Sequence, residues 1–321
     1  MTQPRGAGLD LIRVAAAMSV FLYHTHTASG LVLIGSLANR GNLGVPVFFA
    51  LSGYLVYRPF LYRPVEPAPY LIRRTLRMAP AWLAAVVGVR LLMPGEGPAL
   101  SLVMWSLFVE MTFYAVLPLL ALAARQREWP VIAGLGLASF VASLLVPSML
   151  IPVILDPILL PIFFWSFSMG MLLAVIERDR PKLIRSRVWL VAGLPLVAVG
   201  LHAADGYPAG FSDPWASLAV VFGAVVVMGA LLGWRQQWAW AALGADATYS
   251  FYLWHLPVLE TVAARFIPSA TIILGFLITG LIAVTTTVML EKPIRRWAAS
   301  RLASRPQRPG GPASELKPTA E

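Results

Sequence analysis

Arg13 and His24 stand eleven residues apart in "RVAAAMSVFLYH". On an α-helix that spacing returns to nearly the same face, with about 16 Å of axial rise between the two side chains. Glu110, in "MWSLFVEMTFY", has Ser106 and Tyr114 one turn to either side on its own face. His255, in "YSFYLWHLPV", shares a face with Thr248 and Tyr252. The chain has no cysteine, so a nucleophile or base has to come from another residue type. His26 lies two residues beyond His24, on a nearly opposite face, which makes "HTH" in a helix a poor metal pair and no metal site is expected.

All of these residues lie in apolar runs, where a charged side chain at the bilayer centre costs roughly 2.5 kcal/mol or more. Each also has a plainer reading. Arg13 can pair with Asp10 one turn below it. Glu110 can be a neutral carboxyl joining two helices, and His255 a packing residue. "YLIRRTLRMAP" gathers Arg73, Arg74 and Arg77. Such a cluster chelates phosphate, or it faces anionic lipid and sets topology.

The elements that must position these groups are membrane helices. Of 321 residues, 58% are hydrophobic and 12% charged, with a mean hydropathy of +0.74, too little polar surface for a soluble globule. Spans of about 20 apolar residues give ten segments: 8–26, 43–60, 76–93, 100–124, 130–147, 157–176, 187–203, 215–233, 244–264 and 269–290. The fold expected is an all-α polytopic membrane bundle of about ten transmembrane helices. Residues 1–300 form the membrane domain, and 301–321, "RLASRPQRPGGPASELKPTAE", a disordered tail.

An even number of spans puts both termini on one side. All 25 Lys and Arg residues fall on that side except Arg13 and Arg90 inside segments and Arg40 and Arg265 on the other, so the termini are expected in the cytoplasm. The same distribution accounts for the net charge of +10 without a nucleic-acid partner. On this topology Arg13 lies in the cytoplasmic half of the first span. His24 lies past the middle, at about the depth of Glu110. Glu260, Arg90 and Arg265 sit near outer ends, where they snorkel, and His202 falls in an outer loop.

Six stretches in order resemble the acyltransferase family 3 membrane proteins, over about residues 8–297. Arg13 and His24 match the family's Arg-x10-His motif, and "GNLGVPVFFALSGYL" its Gly-Val-x-x-Phe-Phe-x-x-Ser-Gly stretch. "RRTLRMAP", "WSLFVEMTFY", "YSFYLWHLP" and "EKPIRRW" are similar to its remaining motifs. The resemblance implies an O-acyltransferase, with an acyl-coenzyme A donor (acetyl-coenzyme A foremost) from the cytoplasm. It also implies a hydroxyl acceptor on a glycan, glycolipid or macrolide.

On that basis Arg13, Arg73, Arg74 and Arg77 would hold donor phosphates, and His24, with a reference pKa near 6.5, would be general base. Glu110 would orient His24, and Ser52, Tyr114 and His255 would line the pocket. An acyl-histidine intermediate is the other route. The competing reading is a transporter or flippase, for which a polar cluster at mid-membrane is equally natural. Arg outnumbers Lys by 22 to 3 among abundant Ala and Pro, which points to a GC-rich bacterial genome and hence a bacterial plasma membrane.

Overall fold

A computed structural model describes residues 6–30, 40–95, 97–145, 160–204, 213–234 and 236–303. They form helices and turns, with no strand among the described residues. In chain order the helices are α1 (Ala7–Ser29), α2 (Gly44–Tyr62), α3 (Pro67–Leu92), α4 (Gly97–Ala124), α5 (Glu128–Leu145) and α6 (Leu160–Asp179). They continue with α7 (Pro181–Ile184), α8 (Trp189–Ala203), α9 (Pro214–Leu231), α10 (Ala239–Ala263), α11 (Pro268–Thr286) and α12 (Lys292–Ala303). A π-helical turn, Thr287–Glu291, joins α11 to α12.

Over its described residues, each of the ten expected segments coincides with a helix. Among the described residues eight helical stretches are long and apolar enough to cross a bilayer. The other two differ for separate reasons: α8 is 15 residues long, and α10, at 25 residues, carries the polar set Asp246, Thr248, Tyr249, Tyr252 and His255. Hydropathy also placed α3 too late. It starts at Pro67, with proline in its first turn, where the missing N–H is no loss, so the three arginines lie inside the helix rather than at its start. His202 is in the last turn of α8, not in a loop. Residues 301–303 complete α12. The rest of the expected tail (304–321), the proline-rich stretch 146–159, Arg5 and Arg235 lie outside the described residues.

Lipid cannot drive these helices together by apolar burial, since its tails are as apolar as leucine; close packing of small residues does. The α2–α6 contact shows this. A Cβ on Gly53 would collide with the Phe167 carbonyl, and one on Gly170 with the Ala50 carbonyl. The two backbones therefore approach closely, and Phe49 stacks on Phe167 at 4.7 Å between ring centroids. Tyr54, next to Gly53, then reaches Glu177 on α6 with an O–H···O bond of 2.7 Å.

Around that pair, α5 packs on α6, α8 on α9, and α10 is flanked by α11, α1, α4 and α3. Leu137, Leu145, Val191, Val199, Ile273 and Leu281 stand exposed on the outer faces of α5, α8 and α11, an apolar belt suited to acyl chains. The π turn anchors α10. Glu291, buried, accepts hydrogen bonds from Ser250 Oγ of α10 (2.7 Å) and from Thr287 Oγ1 (3.1 Å). This fixes the segment that carries Tyr249, Tyr252 and His255.

Candidate active site

A cavity of about 1030 Å³ opens between α1, α2, α3, α4, α6 and α10, with Arg185 at the end of α7 also in its lining. Along α2 its lining runs from Val45 to Tyr62, about 25 Å at 1.5 Å per residue. The end near Tyr62 is ringed by guanidinium groups: Arg58, Arg63 and Arg185 line it, while Arg13, Arg74 and Arg77 line the stretch beyond. The opposite end is apolar and aromatic, with Phe48, Phe49, Leu107 and Tyr252.

At mid-length Glu110 is the polar centre. Its Oε1 accepts short hydrogen bonds from Ser52 Oγ across the α2–α4 contact and from Tyr114 OH one turn along α4. Arg74 lies over the Tyr114 ring, 5.5 Å from its centroid. The same guanidinium lies 5.7 Å from the Tyr70 centroid. Tyr249 OH, buried and without a hydrogen-bond partner, belongs to the same lining.

His24 and His255 are outside this lining and meet each other. His255 Nε2 lies 3.0 Å from His24 Nδ1, and the rings are 4.9 Å apart between centroids. The remaining bonds decide who carries which proton. His255 Nδ1 is 2.6 Å from the Tyr252 carbonyl and His24 Nδ1 is 3.0 Å from the Val20 carbonyl. A carbonyl only accepts, so both Nδ1 atoms carry hydrogen. His255 Nε2 is then the acceptor, His24 Nδ1–H is shared between it and Val20, and the lone pair of His24 is left on Nε2.

Tyr252 separates the two regions. Its ring lies 5.5 Å from that of His255 and its hydroxyl is 2.8 Å from Ser106 Oγ, both Ser106 and Tyr252 lining the cavity.

The expected residues therefore divide into groups. Arg13, Arg74, Arg77, Ser52, Glu110 and Tyr114 share the cavity. Arg73 does not line it and is exposed at the surface. His24 and His255 form their own pair, and no hydrogen bond joins His24 to Glu110. The expected His24–Glu110 contact is thus replaced by two others, and depth separates them: Ser19 of α1 bonds to Gly41, just before α2, whereas Glu110 bonds to Ser52, eleven residues farther along and away from His24.

One buried carboxylate escaped the sequence reading. Glu177 accepts from Tyr54 OH, Arg58 Nε and Arg185 Nη2. It lies one residue past the apolar stretch read as the sixth span, among the arginines taken as topology signals. Among the described residues no three His, Asp or Glu side chains converge as metal ligands do.

The chain matches the acyltransferase domain family (Acyl_transf_3) over residues 7–292. It is 26% identical over 305 residues to the exopolysaccharide production protein ExoZ of Rhizobium meliloti (strain 1021), covering 81% of this chain and 92% of that protein. It is 26% identical over 294 residues to the protein of Komagataeibacter xylinus named "Putative membrane-bound transacylase BcsY", covering 79% and 72%. The nodulation protein 10 of Rhizobium leguminosarum bv. viciae is 24% identical over 313 residues, covering 79% and 83%. No solved structure matches the chain.

Proposed function

Since the chain belongs to acyltransferase family 3 and is a multi-pass membrane acyltransferase, we propose that it moves an acetyl group from acetyl-coenzyme A to a hydroxyl of a carbohydrate-containing acceptor. It does so in a bacterial plasma membrane, with the guanidinium-ringed end of the cavity and both termini facing the cytoplasm. The exopolysaccharide role in the name of one relative favours a surface glycan over a macrolide.

The donor enters at the basic end. Arg13, Arg74 and Arg77 hold its phosphates, and the uncharged arm runs toward Tyr252 along the apolar stretch. Glu110, tied to Ser52 and Tyr114, faces the donor rather than the base. His24 is the general base, and the observation that carries this is the His24–His255 hydrogen bond, which reserves the Nε2 lone pair for a proton. As the acceptor oxygen attacks the thioester carbon past Tyr252, its proton moves to His24 Nε2. The C–O bond forms, the C–S bond breaks, and the imidazolium returns the proton to the departing thiolate. General base catalysis of this kind contributes about 10²- to 10⁴-fold.

The test is acceptor-dependent release of coenzyme A thiol by the purified protein given acetyl-coenzyme A and an acceptor oligosaccharide. Release with an acetylated product supports the reading; transport of the glycan with no thiol released would replace it with a flippase.

A further inference from the structure

The arginines of the cavity form two groups, and the reading above uses one of them. Arg74 and Arg77 line the cavity near Tyr114 and Glu110. Arg58, Arg63 and Arg185 line its opening around Glu177. On α2, Ser52 touches Glu110 and Arg58 touches Glu177. Six residues separate them, about 9 Å along the helix axis, so the two groups lie at different depths of one continuous cavity.

The outer group has the construction of a held anion site. Glu177 is buried, its side chain 4% exposed, while the side chains of Arg58 and Arg185 are 36% and 42% exposed. Its Oε2 accepts from Arg58 Nε at 2.9 Å and from Tyr54 OH at 2.7 Å, and its Oε1 from Arg185 Nη2 at 3.0 Å. A guanidinium has five N–H donors. Glu177 takes one from each, which tethers two guanidinium groups that both line the cavity and leaves their other donors outside these bonds. One carboxylate against Arg58, Arg63 and Arg185 leaves two positive charges in excess, the complement of a phosphomonoester at neutral pH. Arginine forks suit its oxygens.

We infer that the opening formed by Arg58, Arg63 and Arg185, with Glu177 as positioning residue, is a second anion subsite that holds a terminal phosphomonoester of the donor. The inner arginines keep the pyrophosphate. This assignment rests on the acyl-coenzyme A reading, and it specifies a donor with two anionic groups at separate depths ahead of a thin uncharged arm.

The discriminating pair of donors is acetyl-coenzyme A and acetyl-3′-dephospho-coenzyme A, assayed with the purified full chain. The wild type should show a KM for the dephospho donor about 10-fold or more above that for acetyl-coenzyme A. Arg58→Gln and Arg185→Gln should raise KM for acetyl-coenzyme A until the two donors differ by less than about 3-fold, with kcat held. Arg74→Gln should raise both KM values and preserve their ratio. Glu177→Gln removes a negative charge but turns an amide N–H toward one guanidinium that the carboxylate held, so if Glu177 acts by positioning, the ratio should shrink part-way; a ratio that grows would overturn its positioning role. Thermal stabilisation by free coenzyme A against 3′-dephospho-coenzyme A gives the same comparison without turnover, for any variant of low activity. A wild type that transfers from both donors with equal KM, or Arg58 and Arg185 variants that keep the ratio, would overturn the subsite and leave the acyltransferase reading standing. Failure of the wild type with both donors, and of both coenzymes to stabilise it, would remove the donor reading and the subsite together.

Discussion

His255 Nε2 sits 3.0 Å from His24 Nδ1, joining residues 231 positions apart in the chain. The contact makes His255 a second acceptor, beside the Val20 carbonyl, for the Nδ1–H of His24; in the proposed reaction it would stabilise the imidazolium, one part that a buried carboxylate plays in a serine-type triad. Because each imidazole also donates to a backbone carbonyl, neither ring can flip without breaking a hydrogen bond.

Loss of the base should be close to complete. His24→Ala is expected to lower acceptor-dependent thiol release by about 10²-fold or more, with unchanged yield from the membrane. A variant that retains full turnover would refute the role of His24.

Loss of the partner should act on turnover more than on binding. His255→Phe keeps the ring volume and leaves the Nδ1–H of His24 on Val20, but removes the imidazole acceptor that would stabilise the imidazolium, so kcat should fall by about 10²-fold while donor KM stays within about 2-fold. Steady-state kinetics at several donor concentrations separate the two; a rise in KM with kcat intact would place His255 in the donor site instead.

Inner arginines should behave in the opposite way. Arg77→Gln is expected to raise donor KM about 10-fold, equivalent to about 1.4 kcal/mol, and Arg73→Gln to change it by less than about 2-fold, since Arg73 is exposed outside the lining. Equal effects at both positions would show that the phosphate contacts lie at the surface.

At the π turn the expected effect is on stability. Glu291→Ala removes the acceptor for Ser250 and Thr287 and leaves buried hydroxyls unpaired, at a cost of about 1–3 kcal/mol. Glu291→Gln keeps a carbonyl oxygen there and should melt close to wild type. Fluorescence-monitored melting in detergent ranks them, and equal melting of all three proteins would mean that Glu291 does not anchor α10.

Packing of α2 on α6 offers a last check. A side chain at Gly170 meets the Ala50 carbonyl, and backbone yields less readily than a side-chain tip, so Gly170→Val should cost about 1–3 kcal/mol or more. Gly134→Val, where a Cβ meets nothing within 4 Å, should be near neutral in the same melt.

The amino-acid sequence determined the class of fold and the position of each polar residue along its own helix. Apolar runs marked the eight helices long and apolar enough to cross a bilayer among the described residues, because a bilayer imposes length on a helix that crosses it. The eleven-position step from Arg13 to His24 sets their separation along α1, because helical rise is a local property. Motif order pointed to the family. Where the reading missed, the cause was also physical: α3 begins among prolines and arginines that hydropathy scores as loop, and Glu177 lies one residue past an apolar run.

Tertiary structure decided which faces meet. A helix in lipid gains little from hydropathy by turning one apolar face inward rather than another, so its rotation follows close packing at positions such as Gly53 and Gly170 and the few hydrogen bonds available in the bundle. Rotation and the vertical offset between helices gave His24 to His255 rather than to Glu110, gave Glu110 to Ser52 and Tyr114, and left Arg73 outside. It also gathered Arg58 and Arg185, 127 positions apart, on Glu177, a juxtaposition that periodicity within any one helix does not encode.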